Sequence, residues 1–214
     1  MNPSAPTLAE VASRLKRPAS AAGLPPLILM TDSQRLPDPL SALRHLPPGS
    51  AVIVRETDPV RRRVLARRLR HTARCRRIRM LIAADERLAR EADGLHLSEA
   101  MARRGARRWR LSPRPGTLLT AAAHSATAIR RAAALGANAV LLAPVFATAS
   151  HPGAPAIGPL QFARLVWSSP LPVYALGGID AATAQRLLRS GAAGFAAIGA
   201  LSPPRQSAGG SPGA

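Results

Sequence analysis

The segment "TLLTAAAHSATAIRRAAALGANAVLLAPVF", residues 117–146, contains one complete structural unit. Its first eight residues form an apolar run, and residues 138–146 form a second one. Between these runs, Ser125 is a residue type that begins helices and Gly136 is one that ends them, which predicts a helix over 125–135. The segment therefore predicts a strand, a helix and a second strand.

The same alternation continues through the whole chain. Eight apolar runs are continuous rather than alternating, which is typical of strands buried on both faces. The eight predicted strands cover residues 26–32, 50–56, 78–85, 93–98, 117–124, 138–146, 171–178 and 194–200. Further helices are predicted at 58–72, 85–92, 158–166 and 180–190, the last with Asp180 as its N-cap and Gly191 as its stop. Eight strand-and-helix units predict an α/β protein with a single (β/α)8 TIM barrel.

The ends of the chain differ in composition from the barrel. We expect residues 1–25 to form a flexible N-terminal extension and residues 203–214, rich in Pro, Gly and Ser, to form a disordered tail. The barrel itself is expected over residues 26–202. No apolar stretch approaches the roughly 20 residues of a membrane span, and Cys75 is the only cysteine, so we expect a cytoplasmic protein without a membrane partner.

An open doubly wound sheet is the alternative fold. It would need a glycine-rich loop after the first strand, but residues 31–39, "TDSQRLPDP", contain no glycine. The glycines gather instead near the seventh and eighth strands. Barrels commonly bind a phosphate there through backbone N–H groups, so Gly177, Gly178, Gly199 and Ala200 are predicted to bind one.

The charge of the chain is strongly positive, with 30 Lys and Arg against 11 Asp and Glu, a formal net charge of +19. Such a charge is typical of proteins that bind polyanions. The arginines are nevertheless spread along the chain, and aromatic residues for base stacking make up only 3%, so no specific nucleic-acid partner is expected. Lys16 is the only lysine, which excludes enzymes that need a Schiff-base or phosphate-binding lysine in their core.

Residues at the C-terminal ends of barrel strands are the ones expected to carry chemistry. His124 follows the fifth strand, and imidazoles take up and release protons near neutral pH, so it is the predicted acid/base. His96 is expected to be hydrogen-bonded within the rim without a chemical role. Asp85 is well placed for a metal, but Glu99 is the only acid at the next strand end, so no metal site is predicted.

Several motifs recur in the order and spacing of one known superfamily. They are "LILMTD", "LIAADE", "ADGLHLSE", "AAHSATAIRRAAALGANAVLLAPVFATASHPGAP", "PVYALGGI" and "GAAGFAAIGAL", within residues 27–201. With them the chain resembles the thiamine phosphate synthase and thiazole tautomerase (TenI-like) superfamily. The resemblance implies that a thiazole phosphate is held by Thr148, Ser150, Gly177, Gly178 and the turn at Ile198 and Gly199.

The other half of the family's site, which binds a pyrimidine diphosphate, is altered. Arg55 and Glu56 are kept, but the family's Gln, Lys, Asn, second magnesium Asp, Ser and loop Lys correspond to Ile53, Thr57, Ala84, Met101, Ala122 and His151. Metal and cations stabilise a leaving diphosphate, so these losses are expected to impair synthase chemistry. No cofactor is therefore expected, magnesium being needed only if synthase activity is retained, with Asp85 as a remnant of the metal site.

The leading hypothesis is a metal-independent thiazole phosphate tautomerase. His124 and Ser125 match the tautomerases in the resemblance, with His124 moving the proton and Arg55, Glu56 and His151 lining the ligand site. The alternatives are a divergent thiamine phosphate synthase and a non-catalytic homologue that binds thiazole or thiamine phosphate. The expected partner is a thiazole phosphate-type small molecule, and a homo-oligomer is left open.

Overall fold

Eight parallel strands form a closed ring in chain order in the computed structural model of the protein. The structure describes residues 6–105, 115–148 and 155–201. The strands are β1 Leu27–Met30, β2 Ala51–Val54, β3 Arg79–Ala83, β4 Gly94–Leu97, β5 Leu118–Ala123, β6 Ala139–Leu142, β7 Val173–Ala175 and β8 Gly194–Ala197. β8 returns to β1, with Leu27 opposite Phe195, and this pairing closes the ring. The predicted (β/α)8 barrel is confirmed.

The apolar strands are explained by burial on both of their faces. One set of buried side chains, including Ile28, Ile53 and Leu141, packs inside the ring. The neighbouring residues along the same strands, such as Leu29 and Val52, belong to a second cluster that packs against the helices. A strand between two apolar layers has no polar face, so its hydrophobicity is continuous.

Helices follow the strands and lie outside the ring. They are α1 Leu8–Ser13, α2 Pro39–His45, α3 Pro59–Cys75, α4 Glu86–Ala89, α5 Glu99–Arg104, α6 Ala126–Ala134, α7 Gly158–Trp167 and α8 Ala181–Gln185, with 3-10 turns at Ala19–Ala21 and Gly199–Leu201. Seven of them begin where a side chain accepts a hydrogen bond from a first-turn N–H; these caps are Thr7, Asp38, Asp58, Asp85, Ser98, Ser125 and Asp180. The predicted cap at Asp180 is confirmed.

Two predicted helices are shorter than their sequence patterns indicate. The helix predicted at 85–92 ends at Ala89. Asp93 explains this, because its N–H donates to the carbonyl of Met80 at 2.8 Å and its carboxylate accepts from the N–H of Met80 at 2.8 Å. These bonds return the chain to the barrel after a single turn. The helix predicted at 180–190 continues as turns beyond Gln185.

The expectation that residues 1–25 form a flexible extension is wrong for the part that the structure describes. In α1, Leu8, Val11 and Ala12 are buried, and the helix packs against α8. An amphipathic helix buries its apolar face when a neighbouring helix offers a surface to pack against. The folded domain therefore includes this segment, while the tail expected at 203–214 lies outside the described residues.

None of the helices in the described ranges combines the length and the apolarity that crossing a membrane requires.

The guanidinium of Arg17 joins the N-terminal segment to the lower end of the barrel. It donates to the carbonyl oxygens of Ala193 at 2.5 Å, Ala21 at 3.0 Å and Leu24 at 2.7 Å.

We expect Arg17→Ala to lower the free energy of unfolding by about 2 kcal/mol, because three partly buried carbonyl oxygens would lose their charged hydrogen-bond donor. Urea unfolding measures this. The exposed neighbour Arg14 is the matched control: Arg14→Ala should change stability by less than about 0.5 kcal/mol, and equal losses would contradict the assignment.

Candidate active site

A cavity of about 860 Å³ opens at the C-terminal ends of the strands. Its walls include the following residues predicted from the sequence: Arg55, Glu56, His124, Thr148, Gly177, Gly178 and Ile198. Gly199 and Ala200 lie beside it in the exposed 3-10 turn after β8. Ser150 and His151 lie outside the described residues. The fold thus brings residues far apart in the sequence to one mouth.

The glycine pair after β7 seats the loop that follows β6. The N–H of Val145 donates to the carbonyl of Leu176 at 2.9 Å, and the N–H of Phe146 donates to that of Gly177 at 3.0 Å. Gly177 and Gly178 have φ of +88° and +63°, a region that favours glycine. A Cβ on Gly178 would lie 2.5 Å from the carbonyl oxygen of Ala147. Both glycines are therefore required by conformation and by close approach.

The start of α8 and the loop after β6 hold this glycine segment from behind. Thr183 caps α8 with Asp180 and also donates from its hydroxyl to the carbonyl of Gly178 at 2.9 Å. The guanidinium of Arg186 lies 5.1 Å from the centre of the Phe146 ring, within range of a cation–π contact. The backbone on this side of the cavity is preorganised by these contacts.

His124 is paired with an acid that the sequence analysis did not place in the site. Its Nδ1 lies 2.6 Å from Oε2 of Glu99, whose side chain is 18% exposed, whereas that of His124 is 56% exposed. The hydrogen bond with His124 lowers the pKa of Glu99, and the charges of His124, Arg103 and Arg131 lower it further. Glu99 was visible in the sequence only as the lone acid after β4; the contact depends on the pairing of β4 with β5.

His96 lies on the cavity floor and is only 4% exposed. Its Nδ1 is 3.0 Å from Oγ1 of Thr120. Burial, together with the positive charge of Arg55, lowers its pKa to about 4, so its ring is neutral at pH 7. This hydrogen-bonded position agrees with the expected rim histidine.

Arg55 is held by an acid at the end of the neighbouring strand. Its Nη1 donates to Oδ2 of Asp32 at 3.0 Å, and Nη2 of Arg35 donates to the same oxygen at 2.7 Å. The hydrogen bond from the Arg35 side chain is the main reason that the pKa of Asp32 falls to about 2. The hydroxyl of Thr31 accepts from the N–H of Arg55 at 2.8 Å and joins the two strand ends. Arg35 had no distinguishing signal in this arginine-rich chain.

A single arginine of α3 is directed inward. Arg62 is 8% exposed and lines the cavity. Its Nη2 and Nε donate to the carbonyl of Glu56 at 2.7 and 3.0 Å, and its Nη1 lies 3.7 Å from Oδ2 of Asp85. Nothing in the run of arginines at 60–79 separates Arg62 from its solvent-facing neighbours except its place on the helix.

The sequence profile of a protein family described as thiamine monophosphate synthase matches residues 27–201. The chain belongs to this family. The thiamine-phosphate synthase of Thermosynechococcus vestitus is 34% identical over 156 residues, 68% of this chain and 41% of that protein. The thiamine-phosphate synthase of Methanoculleus marisnigri is 40% identical over 118 residues, 55% of each chain. This chain therefore spans about half the length of these curated relatives.

A solved structure agrees with the family assignment. The thiamine phosphate pyrophosphorylase from Pyrococcus furiosus superposes with a TM-score of 0.66 and 25% sequence identity, covering 83% of this chain and 87% of that one. The superfamily resemblance found in the sequence is confirmed.

The magnesium that the thiamine monophosphate synthase family implies does not fit the described residues. Asp85 accepts from the N–H groups of Arg87 at 3.1 Å and Leu88 at 2.9 Å with one oxygen, and its other oxygen faces Arg62. Met101, at the position of the second acid, packs against the apolar core. Across residues 6–105, 115–148 and 155–201, no three side chains of His, Cys, Asp or Glu converge to hold a metal. Magnesium needs several converging oxygens, and Asp85, the acid retained at the family's metal position, is already engaged by two backbone N–H groups and faces Arg62.

The close approach at Gly178 gives a stability prediction. Gly178→Ala should lower the free energy of unfolding by about 3 kcal/mol, because the new Cβ meets Ala147 and Phe146 and φ is positive. Gly199→Ala is the matched control, since a Cβ there meets nothing within 4 Å. Urea unfolding of both variants measures the difference. Equal stabilities would show that the loop after β6 is not seated on the glycine pair.

Proposed function

We propose that the cavity binds a thiazole phosphate and that His124 moves a proton on it, making the ring aromatic. The observation that carries this proposal is that His124 lines the same cavity as Thr148 and the glycine pair. An acid/base and a site that orients the substrate are what a proton shift requires. The proposal assigns no role to a metal.

The phosphate end of the ligand belongs to the β6, β7 and β8 side. Backbone N–H groups around Gly178 and Gly199 and the hydroxyl of Thr148 are suited to hold a phosphate. From the sequence we also propose that Ser150, His151 and Ala200 contact this end of the ligand. Because the backbone at Val145, Phe146 and Gly178 is already fixed by hydrogen bonds, little ordering of these residues is needed when the ligand binds.

The reacting end of the ligand faces His124 and Arg55, which directly follows β2. In the tautomer, a ring carbon that bears the carboxylate loses a proton, and a carbon outside the ring gains one as the double bond moves inward. His124 takes the first proton and delivers the second, so the enzyme is unchanged after one turnover. Arg55, with Asp32 keeping it in place, neutralises the carboxylate.

Thiamine phosphate synthesis is the second candidate function, and the comparisons favour it. Both curated relatives and the solved structure are named for that reaction or its enzyme. Arg35, Arg55 and Arg62 line the cavity and are the cations that would face a diphosphate. A third candidate, a non-catalytic homologue that binds the ligand, would use the same cavity.

Substitution of His124 separates these functions. We expect His124→Asn to lower kcat for aromatisation of the thiazole phosphate tautomer by about 10²- to 10⁴-fold, the usual contribution of a general acid/base, with little change in KM. Absorbance of the aromatic ring measures the rate. The control is His45→Asn, because His45 lies on α2 outside the cavity. An unchanged rate in His124→Asn would overturn its role.

A titration and a coupled assay distinguish the synthase. We expect calorimetry to show binding of the thiazole phosphate with and without magnesium, and no binding of the pyrimidine diphosphate. Formation of thiamine phosphate from both substrates with magnesium, at a turnover of about 1 s⁻¹ or more, would favour the second candidate. Tight binding of the thiazole phosphate with neither reaction would favour the non-catalytic homologue.

A further inference from the structure

We propose that Glu99 is a positioning residue that holds His124 with its ring hydrogen on Nδ1, leaving Nε2 to exchange the proton with the ligand. The proposal rests on the proposed function for the reaction that His124 performs. The pairing itself is a property of the ligand-free protein. It therefore has a test that needs no turnover.

Both members of the pair stand on rigid elements. β4 ends at Leu97, and Glu99 is the first residue of α5, whose start Ser98 caps by accepting from the N–H of Met101 at 3.2 Å. His124 directly follows β5. β4 and β5 are hydrogen-bonded neighbours, so the two side chains project from adjacent strand ends. Groups placed on paired strands keep their separation better than groups on long loops.

Both oxygens of the Glu99 carboxylate are in use. Oε2 lies 2.6 Å from Nδ1 of His124, and Oε1 lies 3.4 Å from Nη2 of Arg103, one turn further along α5. Two contacts in different directions fix the plane of the carboxylate as well as its position. The Glu99 carboxylate lies at a helix N-terminus, where negative charge is also stabilised.

The ionisation of Glu99 decides which ring nitrogen carries the hydrogen. The groups that face it are His124 at the end of β5, Arg103 on its own helix and Arg131 on α6, and all of them lower its pKa. An ionised carboxylate only accepts hydrogen bonds, so Nδ1 must donate. Nε2 of the neutral ring is then the acceptor and the base.

Among the described residues, the second cavity histidine, His96, has no carboxylate as a hydrogen-bond partner. Nδ1 of His96 faces the hydroxyl of Thr120, a group that both donates and accepts, so the contact does not select a tautomer. His96 is also buried, whereas more than half of the His124 side chain is exposed at the mouth. The carboxylate therefore distinguishes the histidine proposed to react from the one that packs.

Glu99→Gln tests the proposal in the assay for aromatisation. The amide has nearly the same shape but can also donate to Nδ1, which permits the wrong tautomer. We expect kcat to fall by about 10²-fold or more, as when the acid that orients a catalytic histidine is replaced, with KM within about twofold. Glu99→Asp should recover part of kcat, because a carboxylate is present again. Glu91→Gln, which removes a surface acid paired with Arg70 at 3.2 Å, is the control and should have no effect.

Nitrogen NMR of the ligand-free protein tests the pairing directly. For the neutral form of the ring, we expect the hydrogen of His124 on Nδ1 in the wild type and shared with Nε2 in Glu99→Gln. Arg103→Gln should leave the wild-type tautomer, since the contact at Oε2 is kept. Urea unfolding of each variant excludes loss of folding as the cause.

The outcomes separate this inference from the proposed function. An unchanged kcat and tautomer in Glu99→Gln would overturn the role of Glu99 and leave the proposed function standing. A second outcome is that the wild type fails to aromatise the tautomer while its Nδ1 hydrogen still depends on Glu99. That result would support the positioning role and contradict the proposed function. A wild-type hydrogen on Nε2 would overturn the inference whatever the rate.

Discussion

The pairing of β1 with β8 is the constraint on which the rest of the structure depends. Leu27 lies opposite Phe195 at the two ends of the barrel sequence, and their strands remove both edges of the sheet. Closure places all eight C-terminal strand ends around one mouth. Without it, Asp32, His124 and Gly178 would not share a cavity.

Two kinds of interaction build the two sides of this cavity. On the side of β6 and β7, backbone hydrogen bonds between the loops and the close approach at Gly178 set the geometry. On the side of β1 to β5, acids hold basic side chains: Asp32 binds Arg55, Asp85 faces Arg62 and Glu99 binds His124. The first side carries the residues that we propose to hold the thiazole phosphate. The second side is built from two acid–arginine ion pairs and the Glu99–His124 hydrogen bond.

These ion pairs matter because acids are scarce in the chain. With 11 Asp and Glu against 30 Lys and Arg, an arginine near the cavity would ordinarily face solvent. Partly buried charges need partners, so the few acids at strand ends decide which cations and which histidine are held in the site. The same pairing leaves Asp85 unsuited to bind magnesium.

Most of the fold could be predicted from the sequence, but only part of the candidate site could. Continuous apolar strands, helix caps such as Asp180 and the stops at Gly136 and Gly191 predicted the barrel, because these are local signals of burial and backbone conformation. The buried N-terminal helix was missed because its six residues are amphipathic only in relation to α8, which lies more than 160 residues further along the chain.

The sequence by itself determined the barrel, the family and the candidate histidine, since strand periodicity and motif order are properties of neighbouring residues. Only the tertiary structure decided the partners: Glu99 for His124, Arg62 for Asp85, and Arg35 for Asp32 beside Arg55. The contacts of Glu99 and of Arg62 join residues more than 20 positions apart. Arg35 is close to Asp32 in the sequence, but nothing local distinguishes it from the many other arginines. Charge pairing depends on distance and burial, which arise only once the ring of strands has closed.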